Sequence, residues 1–315
     1  MKHYITLLIA LAIASTNCYA QFFGFGGKQE NESERQYSEK FENICYAGDT
    51  AIYHKLDVYL PKTQAEKYPV IVHIYGSAWF SNSSKGMADI NTICSALLAA
   101  GYAVVCPNHR SSGDAQYPAP INDIKAVIRW IRGNADKYKF DTGFIGTSGF
   151  SSGAHLASLC AASNGVKFAN RGDVTYDIEG NLGDYTDMSS FVNACCEWSG
   201  PIDLMNMDCA GKRPEATQPE DVLMGFKYQG HEDAYWLLSP IHYLNMNTVP
   251  IYVMHGDADN VVPCCQGEEF YEALQAAGVK DCGFSKVPEG GHGFKMYSPE
   301  NLKTMVDHFN KARGK

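Results

Sequence analysis

The chain has 315 residues and carries 35 acidic against 26 basic side chains, a formal net charge of −9. Such a balance argues against a phosphate backbone or an anionic membrane surface as partner, because both draw on clustered Lys and Arg. Its eleven cysteines include no C-x-x-C spacing, so a zinc framework has no support in the sequence.

Lys2, the apolar run from Ile5 to Ile13 and Cys18-Tyr19-Ala20 ahead of Gln21 read as an export signal over residues 1–20, cleaved after a small residue. That run is short for a bilayer span and no later stretch is long enough, so an exported protein, secreted or periplasmic, is expected. In an oxidising compartment some of the remaining cysteines can pair. The adjacent pairs Cys195-Cys196 and Cys264-Cys265 are expected to bridge elsewhere, since a bond between neighbours strains the backbone. Residues 21–40 mix glycine and charge without apolar periodicity and read as a flexible leader. One catalytic-sized domain is expected over 41–315.

Asn43 to Tyr46 and Lys55 to Leu60 alternate polar with apolar residues, as half-buried strands at a sheet edge do. Pro69 to Gly76 is rich in β-branched residues and suits a strand covered on both faces. A helical segment is expected over Met87 to Ala100, then a buried strand over Tyr102 to Cys106. Ile124, Val127, Ile128 and Ile131 stand at helical spacing within Ile121 to Tyr138. Asp141 to Gly149, Phe191 to Trp198, Val249 to Gly256 and Gly283 to Val287 read as further strands, with helices over Gln266 to Ala277 and Asn301 to Lys311. Alternation of buried strands with helices predicts an α/β fold, a mostly parallel central sheet with helices on both faces. Residues 203–243 break the rhythm and predict a small cap-like insertion over the strand ends.

The chemistry centres on Gly149-Phe150-Ser151-Ser152-Gly153, between an apolar strand and the helical Ala154 to Leu159. In a G-x-S-x-G turn the pinched backbone leaves no room for Cβ atoms at the two glycines, and the serine Oγ is held out at the end of the sheet. Ser151 is therefore the candidate nucleophile. A serine hydroxyl needs a base to take its proton and a third group to orient that base. Asp257 and Asp259 follow the strand ending at Gly256, and either carboxylate could serve. Asp259 is the better placed, while Asp257 suits the turn itself. Val262 stands where a calcium loop requires glycine, so no metal is expected there. With triad order Ser, Asp, His, the base must be His292 or His308. His292 lies in Glu289-Gly290-Gly291-His292-Gly293-Phe294, a glycine-rich loop able to swing a side chain across the strand ends. His308 falls on the closing helix, and His73, His155 and His255 read as core residues.

Attack on a carbonyl also requires donors for the oxyanion. The amide of Ser152 is one candidate. The loop Gly76-Ser77-Ala78-Trp79 supplies the rest, the amide of Ser77 first and that of Ala78 second. Trp79 is a candidate to line the acyl or sugar pocket, with plain packing beside a buried loop as the alternative.

Taken together, Tyr75-Gly76-Ser77-Ala78-Trp79, Pro118 to Asp123 leading into Ala126 and Trp130, the elbow with His155-Leu156-Ala157, Gly200 to Leu204, His255-Gly256 with Asp259 and Pro263, and Gly291 to Phe294 resemble the α/β-hydrolase carboxylesterases. Within these the chain is most similar to the secreted acetylxylan and feruloyl esterases of the hormone-sensitive-lipase-like lineage, in order from about residue 45 to 310. The resemblance implies an α/β-hydrolase fold, a triad of Ser151, Asp259 and His292, a buried ion pair between Arg110 and Asp123, and no metal or organic cofactor. It implies a secreted serine esterase acting on acetyl or feruloyl groups of xylan-type polysaccharide. A general short-chain carboxylesterase and a catalytically inactive binding protein are the alternatives. The chain departs from the family pattern where many relatives have His-Gly-Gly-Gly-Trp and this one has Tyr75 to Trp79, and where Ser152-Gly153-Ala154 replaces Ala-Gly-Gly.

Overall fold

The structure is a computed structural model and describes residues 36–87, 89–213 and 216–314. The export signal expected over 1–20 and the part of the expected leader up to residue 35 lie outside the described residues.

Eight strands form one sheet in the order β1-β2-β4-β3-β5-β8-β9-β10. They are β1 (Tyr37–Cys45), β2 (Lys55–Pro61), β3 (Tyr68–Ile74), β4 (Ala103–Pro107), β5 (Phe140–Phe150), β8 (Ala194–Trp198), β9 (Ile251–Gly256) and β10 (Gly283–Val287). The β1–β2 and β2–β4 pairs are antiparallel, and every other pair in the sheet is parallel. Parallel neighbours require crossovers, and these place helices on both faces. Val70, Val72 and Ile74 of β3 face one layer, built with α2 (Ala119–Gly133), α3 (Ser152–Ala162) and α6 (Cys265–Ala276). Ile71 faces the other, with α1 (Ser95–Ala99) and α7 (Pro299–Ala312). This double burial is why β3 is an unbroken apolar run apart from His73.

Three expectations are corrected. Tyr37 to Lys40, assigned to the leader, begin β1, which pairs with β2 from Tyr37 opposite Pro61. As an edge strand it keeps charged residues outward and is bulged between Phe41 and Ile44, so its apolar period is hidden. The helix expected over Met87 to Ala100 is instead a 3₁₀ turn at Lys85–Met87, a π-helical turn at Ile90–Cys94 and only then α1. Side-chain ties compete with the helical period here. Lys85 Nζ lies 2.6 Å from buried Asp57, and Asp89, at φ 46°, lies 3.3 Å from His73 Nε2. Thirdly, a small hairpin, β6 (Phe168–Arg171) with β7 (Val174–Asp177), turns at Gly172 where no strand was expected.

The irregular stretch 203–243 contains α4 (Pro219–Met224), α5 (Glu232–Leu238) and a 3₁₀ turn at Pro240–Tyr243. It lies against the first turn of α3, where His155 Nε2 is 2.9 Å from the Leu238 carbonyl, and against the loop entering α2, where the Tyr117 amide donates to Leu223. A disulfide from Cys209 to Cys265 ties it to the start of α6. Of the two adjacent cysteine pairs only Cys265 bridges. Cys195 and Cys196 remain thiols buried on opposite faces of β8, and Cys264 is also free. Among the described residues no helix is long and apolar enough to cross a membrane.

Candidate active site

The turn at Ser151 follows from crowding. A Cβ on Gly149 would collide with the Gly153 carbonyl, and one on Gly153 with the Ile74 carbonyl. Two glycines therefore let β5 turn into α3 within one residue, and the strain falls on Ser151, at φ 57° and ψ −125°. Its amide donates to the Trp198 carbonyl at 2.9 Å, and its carbonyl accepts from His155 at 3.1 Å. The side chain is thus presented at the carboxyl ends of the parallel strands, on a rigid support.

The structure brings Ser151, His292 and Asp259 together. His292 Nε2 lies 2.9 Å from Ser151 Oγ, and its Nδ1 lies 2.8 Å from Asp259 Oδ2. An ionised carboxylate can only accept, so this network assigns the imidazole proton to Nδ1 and leaves Nε2 to accept from the serine. The other oxygen of Asp259 accepts from the amides of Val261 and Val262, at 2.9 and 3.0 Å. Burial disfavours the charged form of Asp259, but the hydrogen bond from His292 and these donors outweigh it and hold the carboxyl below its usual range. The Phe150 ring, 4.7 Å from the imidazole, packs beside it.

Asp257 has a separate task. Its Oδ1 accepts from the Glu289 amide at 2.7 Å, and the Ala258 amide donates to Gly290, so the turn after β9 holds the loop that carries His292. Gly256 permits this contact, because a Cβ there would strike Gly290. His255 Nε2 lies 2.9 Å from the Val262 carbonyl and 3.8 Å from Asp259, and burial pushes its pKa down. It braces the aspartate turn as a neutral ring. His308 sits instead against the Cys195 carbonyl, and His73 against Asp89. Arg110 clasps buried Asp123, with backbone amide to Oδ2 at 2.7 Å and Nε to both oxygens at 3.0 Å.

Two expected site residues are placed differently. The Ser77 amide, first choice as an oxyanion donor, donates to Ser152 Oγ at 2.9 Å. Among the described residues the amides of Ala78 and Ser152 have no acceptor. Ala78 and Trp79 adopt φ 51° and 61°, the left-handed backbone that glycines take without penalty. This twist turns the Trp79 side chain inward. It is 2% exposed and meets His155 edge-on at 5.2 Å, so it belongs to the core beneath the site and does not line a pocket.

One residue went unread in the sequence. Glu197 is fully buried on β8, opposite Gly149, and its Oε2 accepts from the Gly200 amide at 2.8 Å. Burial pushes its carboxyl up to about 8, against the Gly200 bond and with help from the charge of Asp259. A lone acid inside the apolar run Ala194 to Trp198 was the available signal.

Residues 56–274 match the BD-FAE family. A truncated carbohydrate esterase from gut microbiota is 44% identical and superposes with a TM-score of 0.87, over 91% of this chain and 100% of that one. A bifunctional GH43-CE protein of Bacteroides eggerthii is 47% identical with a TM-score of 0.83, over 90% of this chain and 36% of its own. The esterase LipQ of Mycobacterium tuberculosis (strain ATCC 25618 / H37Rv) is 29% identical over 83% of this chain and 59% of its own length. The chain thus spans less than two thirds of that curated relative, and likewise 61% of LipC from the same organism. An α/β-hydrolase fold with its serine turn, aspartate turn and histidine loop at one sheet edge, together with a match over most of the chain, makes this protein a member of the BD-FAE family.

Proposed function

We propose that this protein is an exported serine esterase that releases short acyl groups, acetyl or feruloyl, from xylan-type polysaccharide. The observation that carries the reaction type is the 2.9 Å approach of His292 Nε2 to Ser151 Oγ with Asp259 behind the ring. Ser151 Oγ attacks the ester carbonyl while His292 takes its proton, and Asp259 stabilises the imidazolium and fixes its tautomer. The amides of Ala78 and Ser152 hold the developing oxyanion. His292 then passes its proton to the leaving alcohol and activates the water that releases the acid. No metal or organic cofactor enters these steps.

The carbohydrate reading is supported by the two similar proteins described as a carbohydrate esterase and a GH43-CE protein. Phe294, 70% exposed and two residues past His292, offers a sugar ring an apolar face on the loop that carries the base. A general short-chain carboxylesterase is the second reading, favoured by the similarity to LipQ. A panel of p-nitrophenyl esters of increasing chain length, run beside acetylated xylan and methyl ferulate, separates them. The first reading expects release of acetate or ferulate from the carbohydrate or aromatic esters, and inertness toward all of these with turnover of p-nitrophenyl acetate would leave the second. Export is tested by the amino terminus of the protein recovered outside the cytoplasm, expected at Gln21.

A further inference from the structure

We infer that the side-chain hydroxyl of Ser152, as well as its amide, donates a hydrogen bond to the oxyanion, acting as a relay for the captured amide of Ser77. The inference rests on the esterase reading above. Ser152 is 2% exposed, and its Oγ accepts from Ser77 N–H at 2.9 Å. That bond consumes a donor of the oxyanion loop. It also leaves the Ser152 hydroxyl proton unspent, since among the described residues no group accepts it. A buried donor without an acceptor is costly, and the free energy is recovered if an acceptor arrives.

The oxygen of the tetrahedral intermediate is such an acceptor. Ser151 bonds to the carbonyl carbon, and the Ser152 amide, free of any other partner, heads α3 directly after it. The Ser152 Cβ leaves the same Cα as that amide, and its Oγ is held toward the loop whose Ala78 amide is also free. A hydroxyl that accepts from an amide is polarised and becomes the better donor. Donation to a full oxyanion is charge-assisted, whereas donation to the ground-state carbonyl is not, so the gain falls in the transition state.

The test compares S152A and S152T with the unaltered full-length protein, reading kcat and KM on p-nitrophenyl acetate, Ki for a trifluoromethyl ketone that forms an oxyanion adduct with Ser151, and the thermal midpoint. The expected result is that S152A lowers kcat on the order of 10²-fold with KM little changed and ketone affinity lost in proportion, while S152T, which keeps the hydroxyl, retains most of both. S152A is the smaller side chain and is expected to fold. Unchanged or increased kcat and unchanged Ki in S152A would overturn the proposal, because the Ser77 amide would then serve as well directly. A loss that follows the thermal midpoint and leaves Ki untouched would overturn it too. If the unaltered protein turns over no ester and a fluorophosphonate does not label Ser151, the esterase reading itself fails, and the relay with it.

Discussion

His292 Nε2 lies 2.9 Å from Ser151 Oγ although 141 positions separate the two residues in the chain. The contact requires the loop after β10 and the turn after β5 to meet at the carboxyl ends of the strands, although two strands, β8 and β9, lie between them. On the proposed mechanism, Ser151→Ala or His292→Ala lowers kcat toward p-nitrophenyl acetate by on the order of 10⁶, leaving only oxyanion and binding contributions. Steady-state kinetics on folded variants checks this, and residual turnover within tenfold of wild type in either would exclude the proposed roles.

The two aspartates of the turn after β9 separate cleanly. Asp259→Asn leaves the geometry in place but favours the wrong imidazole tautomer, with an expected loss in kcat on the order of 10⁴. Asp257→Asn keeps an acceptor for the Glu289 amide and is expected to cost less than about tenfold, through looser placement of the His292 loop. Equal losses in the two variants would contradict the assignment.

Glu197 predicts a pH-dependent stability. Its folded value, up to about 8, lies above the ordinary carboxylate range, so the folded protein holds a proton that the unfolded chain releases between about pH 4.3 and 8. Stability from this group is therefore full below that window and falls as pH rises through it, by at most about 1.4 kcal/mol per pH unit. Glu197→Gln keeps an acceptor for Gly200 and removes the slope. Denaturant unfolding at several pH values tests it, and superimposable pH profiles for variant and wild type would show that Glu197 does not titrate there.

The bridge between Cys209 and Cys265 closes a span with a sequence separation of 56. Restricting the unfolded chain in this way is worth about 2–4 kcal/mol. Cys209→Ser is expected to lower the thermal midpoint and to make it insensitive to reductant, while the wild type falls to a similar value in dithiothreitol. A wild-type midpoint unmoved by complete reduction, verified by thiol count, would show the bridge contributes nothing.

Trp79→Ala tests the packing assignment. Emptying a buried indole site is expected to cost about 3–5 kcal/mol of stability, with any change in KM accompanied by that loss. A Trp79→Ala protein as stable as wild type but with KM raised tenfold would restore the pocket-lining role.

How much of this was legible in the sequence depends on how local each cause is. The strands β3, β5 and β9 and the helix α2 were readable because burial on two faces, or on one helical stripe, writes a period directly into neighbouring residues. Ser151 and its two glycines were readable for the same reason: the steric demand of the turn acts within five positions. His292 and Asp259 were legible through their glycine-rich and strand-end contexts joined to a fixed order along the chain. Of β1 only the end, from Asn43, was legible; its first part was not, since an edge strand satisfies only one ladder and shows its charges to solvent. The choice of packing over pocket lining for Trp79 and the capture of the Ser77 amide by Ser152 were decided by the tertiary structure alone. A hydrogen bond 2.9 Å long across 75 positions leaves no trace in local composition, because either partner would look the same without the other.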